Sequence, residues 1–103
     1  MISDEVKNFL GLALRARKLA LGYEAVAREL GRNRVKLLVL AEDFSAAAKR
    51  RLLFNRAGVS QITLGTKQEW GEFWGRKEVG VFAITDANFA AGLLQKLGDK
   101  KSL

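Results

Sequence analysis

The chain has 103 residues, 49% hydrophobic and 28% charged, with a formal net charge of +7. That length and balance suit one folded domain spanning residues 1–103 and exclude a disordered chain. There is neither Cys nor His, which excludes disulfides, thiolate chemistry, zinc sites built from sulfur or imidazole, and any nucleophile–His–acid triad.

The first predicted element is a helix over residues 3–18. Ser3 caps it, Asp4 and Glu5 suit its first turn, and Val6, Phe9, Leu10 and Ala13 recur at helical spacing. Arg15, Arg17 and Lys18 crowd its last turn, where cations suit the dipole. The acidic start is unlike a secretory signal, and no apolar run approaches the roughly 18 residues of a membrane span. The expectation is a cytoplasmic protein with no membrane partner.

Leu19-Ala20-Leu21 is short and apolar and breaks at Gly22. A second helix follows over residues 23–30, with Gly31 as its stop. Residues 35–41 read as a strand buried on both faces. Asp43 or Ser45 caps a third helix that runs to Ala57, with Leu53, Phe54 and Ala57 on its core side. Residues 59–64 form a second strand. Thr66 and Glu69 make a capping box for a helix with Trp70, Phe73 and Trp74 on one face. Residues 79–85 form a third strand. Asp86 caps a last helix whose Ala90, Leu93, Leu94 and Leu97 point inward; Gly98 ends it, and the tail 99–103 frays. Strands alternating with helices imply an α/β fold: a three-layer α-β-α sandwich with a small mixed, mostly parallel central sheet.

The positive charge is concentrated. Between Arg15 and Arg56 lie Arg15, Arg17, Lys18, Arg28, Arg32, Arg34, Lys36, Lys49, Arg50, Arg51 and Arg56, against Glu24, Glu29, Glu42 and Asp43. Outside that span the two signs balance. A localised cationic field attracts phosphate and speeds encounter with polyanions. A solubilising surface is the alternative meaning of such charge.

Few other residues suggest chemistry. No P-loop and no dinucleotide-binding glycine fingerprint occurs. Gly71 and Gly75, on either side of Trp74, suit packing or a helix end. Glu42, Asp43, Thr85 and Asp86 sit at strand ends and read as helix caps before catalytic groups. The acids show no metal-loop spacing, so no metal or cofactor is expected. Trp70, Phe73 and Trp74 read as core before a base-stacking platform.

The best candidate site is the junction at Gly22. A glycine bend followed by a helix N-terminus offers free N–H groups and a positive dipole end to phosphate. Lys18 precedes it by four residues and Arg28 follows it by six; Arg28 and Arg32 share a helix face. One surface would then gather Arg15, Arg17, Lys18, Arg28 and Arg32.

At this junction the chain resembles the L7Ae ribosomal protein family, which includes kink-turn RNA-binding proteins, and most of all its small bacterial branch. The resemblance is carried by Leu10-Gly11-Leu12-Ala13 with Arg15-Ala16-Arg17-Lys18, by Gly22, and by residues 35–43 ending in Ala41-Glu42-Asp43. Arg56-Ala57-Gly58-Val59, Gly71 and residues 81–86 extend it along nearly the whole chain. It implies an α-β-α sandwich and a non-catalytic RNA-binding protein. Its partner would be structured RNA, ribosomal RNA included, bound by a monomer with no small-molecule substrate.

In family members that bind kink-turns, an Asn and a Glu after the equivalent of Gly22 read guanine edges, and a Lys three residues later adds a basic contact. Here those positions hold Glu24, Ala25 and Arg28. Ala25 can neither donate nor accept, and one lost base contact removes about 1–3 kcal/mol of discrimination. Arg28 replaces the Lys with different donor geometry. A second family contact, an apolar loop residue packed on RNA, maps near Arg76-Lys77-Glu78-Val79, with Lys77 and Val79 as the carried-over residues. The implied binding leans on phosphate more than on base readout.

Two other classes stay open in the sequence. A protein-interaction adaptor in translation or transcription complexes would expose an apolar patch around Trp70, Phe73 and Trp74. A small-molecule enzyme would hold Asp43 or Asp86 in a deep pocket at the strand ends.

Overall fold

The computed structural model describes residues 2–101. Its elements run α1 (Asp4–Arg15), β1 (Leu19–Leu21), α2 (Tyr23–Gly31), β2 (Leu37–Leu40), α3 (Ala46–Leu52), β3 (Gln61–Thr63), α4 (Lys67–Trp74), β4 (Val81–Ile84) and α5 (Ala87–Lys101). The strands form one sheet in the order β1-β4-β2-β3.

The two central strands are buried at every residue. Strand geometry sends alternate side chains to opposite faces, and the register aligns those faces. Leu37 pairs with Ile84 and Val39 with Phe82. These four join Val6, Leu10, Trp70, Ala90 and Leu93 in a core under α1, α4 and α5. Leu38 and Leu40, with Val81 and Ala83, pack instead with Val26, Leu30 and Leu52 under α2 and α3. Two helical layers on one sheet make the expected α-β-α sandwich. Each large side chain taken fully out of water contributes about 1.5–3 kcal/mol.

The sheet is mixed, but it is not mostly parallel. Only β2–β3 is parallel; β1–β4 and β2–β4 are antiparallel. The cause is the return path through α4. The Val79 N–H donates to the carbonyl of Lys67, the first residue of α4 (3.1 Å), and Ala41 N–H donates to Gly80 O (2.9 Å). The excursion therefore starts and finishes at the same end of the sheet, and β4 must run back between β1 and β2.

Several boundaries also differ from expectation. α1 stops at Arg15 because Arg17 turns with φ 61° and the Lys18 N–H bonds back to Ala13 O. That frees Leu19–Leu21 to pair with β4 as a strand. α3 stops at Leu52, and Asn55 turns with φ 58°. Of its expected core side, Leu53 is half-buried while Phe54 and Ala57 are exposed. Ser45 caps α3; the Asp43 carboxylate instead accepts from the Lys67 N–H of α4 (2.9 Å). The Thr66–Glu69 capping box forms, and Asp86 caps α5 through the Phe89 N–H (3.0 Å). Leu94 is exposed, and α5 continues through Gly98 to Lys101. Ser102 and Leu103, the end of the tail expected to fray, lie outside the described residues. Among the described residues, no helix is long and apolar enough to cross a membrane.

Candidate nucleic-acid interface

Gly22 joins β1 to α2 with φ 91° and ψ 166°, a combination open to almost no residue but glycine. Its N–H donates to Val81 O (3.0 Å), which ties the bend to the sheet. As the N-cap of α2 it offers no side-chain acceptor. The first amides of α2 therefore have no side-chain cap to satisfy them at the end where the dipole is positive.

Beside this bend Arg17, Arg28, Arg34 and Arg76 line a groove of about 430 Å³ along the edge strand β1. They come from the turn after α1, from α2, from the loop after α2 and from the loop after α4. Ala25, Glu29 and Thr85 complete the groove. Arg17 sits in the left-handed region, which costs a non-glycine residue about 1–2 kcal/mol. The fold thus holds a cation in a disfavoured conformation at the groove.

The charge there is under-compensated. Glu29 lies 3.4 Å from Arg32 and 3.8 Å from Arg34. Among the described residues, no carboxylate is within ion-pair distance of Arg17, Arg28 or Arg76. Gathered cations without counter-charges focus a positive potential that a phosphate strand relieves.

Arg76 was missed in the sequence, although its loop was singled out. Its guanidinium Nη1 lies 3.9 Å from where a Cβ on Gly22 would stand. The loop is held there by Gly71, whose missing Cβ would meet Lys77 O at 2.6 Å and Arg76 O at 2.9 Å. Gly75 ends α4 in the left-handed region, and the Arg76 N–H bonds Gly71 O (2.7 Å). The signal was a glycine four residues before another, followed by two cations; its meaning required knowing that the loop returns to Gly22. Arg34 was likewise counted as charge but not assigned to the site.

The other expected residues divide. Arg15, Lys18, Glu24 and Lys77 are exposed outside the groove lining. Arg32 is engaged with Glu29 beyond the groove. Val79 is a correction. Its side chain is 3% exposed and packs in the core, so it is not available to press on RNA. Trp70 is 1% exposed and its indole N–H donates to Leu64 O (2.7 Å). Trp70 stands edge to face on Phe73 and Phe82, as does Trp74 on Phe82, while Phe73 lies tilted against Trp74. This cluster is core, which removes the patch that the adaptor reading needed. Asp43 and Asp86 accept from helix amides, which accounts for them as caps.

The chain is an α-β-α sandwich with a glycine bend and a cationic groove at its sheet edge, an arrangement whose field suits polyanions. Comparison with known proteins gives the family. The family model for the ribosomal protein L7Ae/L30e/S12e/Gadd45 family matches residues 4–93, and the chain belongs to that family. It is 33% identical over 90 residues to RNA-binding protein YlxQ of Bacillus subtilis, covering 85% of this chain and 90% of that one. A Bacillus halodurans protein of unknown function superposes with TM-score 0.75 at 30% identity, over 90% of this chain and 96% of that one. The fold also matches a Giardia lamblia 15.5kD RNA binding protein, with TM-score 0.65 at 16% identity over 96% and 92% of the two chains.

Proposed function

We propose that this protein is a non-catalytic RNA-binding module that takes structured RNA, ribosomal RNA among its targets, into the arginine groove beside Gly22. The observation that carries the reading is the convergence of Arg17, Arg28, Arg34 and Arg76 from four separate segments onto one edge, with Glu29 as the only acid lining it among the described residues. Family membership and the name of the Bacillus subtilis relative support it. The protein acts as a cytoplasmic monomer in this reading.

Binding is led by phosphate. Arginine forks match phosphate oxygens, and the bare α2 amides add neutral donors. Base readout is reduced at Ala25, which has no polar group to offer. Kink-turn RNA fits the groove through its sharply bent backbone, since such a bend brings phosphates of two strands together.

The test is binding of purified protein to a kink-turn RNA and to an unkinked duplex across a salt series. The kink-turn RNA is expected to bind more tightly, with log K falling linearly in log salt for both. Equal affinities would leave structured RNA and remove the kink-turn. Absence of binding, or binding that ignores salt, would remove the reading.

A further inference from the structure

The groove does not use all the cationic surface of this layer. α3 ends in Lys49, Arg50 and Arg51, and Phe54 follows with 73% exposure, the largest among the described large hydrophobic residues. Shallow clefts flank the ring, with Ala47, Arg50 and Arg51 on one side and Lys49 and Leu53 on the other. Residues 44–68 contain no acid. Among the described residues, no carboxylate pairs with Lys49, Arg50 or Arg51.

Cations in a last helical turn suit the dipole, so their presence alone needs no ligand. An open aromatic ring framed by unpaired cations is a different object. It has the composition of a single-strand nucleic-acid contact, in which a base stacks on the ring and its phosphates meet the flanking charges. A protein partner would call for a large contiguous apolar patch, and here the apolar part is one ring with the small Ala46 and Ala47 and a half-buried Leu53, interleaved with three cations.

The patch also lies on a path from the groove. α2 spans the interval from Gly22 to Leu30, about 12 Å at 1.5 Å per residue. At its far end the Arg56 guanidinium donates to Leu30 O (3.1 Å), two residues from Phe54. Arg56 thus ties the turn that carries Phe54 to the end of α2, the helix that borders the groove.

We infer that Phe54, with Lys49, Arg50 and Arg51, binds an unpaired RNA segment that leaves the structured part held at Gly22. The inference rests on the RNA-binding reading of the groove and adds a second contact of single-stranded chemistry.

The experiment compares a blunt kink-turn hairpin with the same hairpin carrying uridine tails on both strand ends. Wild type, Phe54→Ala, Phe54→Trp and the Arg50→Gln/Arg51→Gln double variant are measured, with polyglutamate as a protein-like polyanion. The tails are expected to raise wild-type affinity. Phe54→Ala cancels that gain, a loss of roughly 5- to 150-fold, while its affinity for the blunt hairpin stays at the wild-type value. Phe54→Trp keeps the gain, and the double arginine variant reduces it with a shallower salt dependence. Wild type that binds the blunt hairpin but gains nothing from tails overturns this inference and leaves the groove standing. A gain that survives in Phe54→Ala overturns it as well. Polyglutamate binding that depends on Phe54, with no tail effect, overturns it in favour of an acidic protein partner. Wild type that binds neither RNA overturns both readings.

Discussion

The two faces of the sheet are built from different materials. Under α1, α4 and α5 the packing is aromatic: Phe9 against Phe89 (5.4 Å between ring centres), and Trp70 and Trp74 against Phe82 (4.8 and 5.8 Å). Under α2 and α3 the buried residues are Val26, Leu30, Leu38, Leu40, Leu52, Val81 and Ala83, all aliphatic. The outer surfaces differ as well. Lys96 pairs with Glu5 on the aromatic side, whereas α2 and α3 present Arg28, Arg32, Lys49, Arg50 and Arg51 against Glu24 and Glu29. A thin aliphatic layer suffices to seat a cationic surface whose like charges repel. The aromatic layer, where large rings bury the most area, carries more of the stability. In the proposed reading, stability rests mainly on one face and RNA binding on the other, with Arg17 and Arg76 reaching the groove from the turns after α1 and α4.

The sharpest way to break this division is Trp70→Ala. The side chain is buried, hydrogen-bonded to Leu64 O and packed edge to face on Phe73 and Phe82. Its loss is expected to cost about 3–5 kcal/mol, read by urea unfolding. The fraction that stays folded keeps wild-type RNA affinity; weakened binding by that fraction would refute the separation. Gly71→Ala comes next and probes a link between the faces, the loop that carries Arg76 to the groove. A Cβ there meets two backbone carbonyls below 3.0 Å, and relief requires the loop carrying Arg76 to move. About 1–3 kcal/mol of overpacking is expected, together with reduced RNA affinity. Lost stability with unchanged affinity would show that Arg76 does not need its present seat.

The layers were legible in the sequence because buried strands and capped helices leave local signs. Leu37–Leu40 and Val81–Ile84 are continuous apolar runs, and Thr66 with Glu69 spells out its box. What was illegible depended on long-range contacts. Leu19–Leu21 becomes a strand only because β4 lies beside it. β4 is antiparallel only because Val79 returns to Lys67. The same return decided the site. Gly22 and Arg28 were found from chain proximity, but Arg34 and Arg76 arrive through tertiary contacts, and Val79 was assigned outward although the loop turns it into the core.

Within the cationic face, place should matter more than count. Arg28 lines the groove, with no carboxylate partner among the described residues. Arg28→Gln is therefore expected to flatten the slope of log K against log salt by about 0.9 and to leave stability within about 0.5 kcal/mol of wild type. An unchanged slope would put the RNA elsewhere.

Arg32 carries the same charge one helical turn further on, and its removal should do less. Its guanidinium is exposed and shares Glu29 with Arg34, an arrangement worth about 0–1 kcal/mol to stability. Without Arg32, Glu29 turns fully toward Arg34 and offsets charge at the groove rim. Arg32→Ala should then weaken RNA binding slightly and change the salt slope by clearly less than Arg28→Gln. Equal slopes for the two variants would mean that RNA senses the total charge of α2, and the groove would lose its claim to be a site.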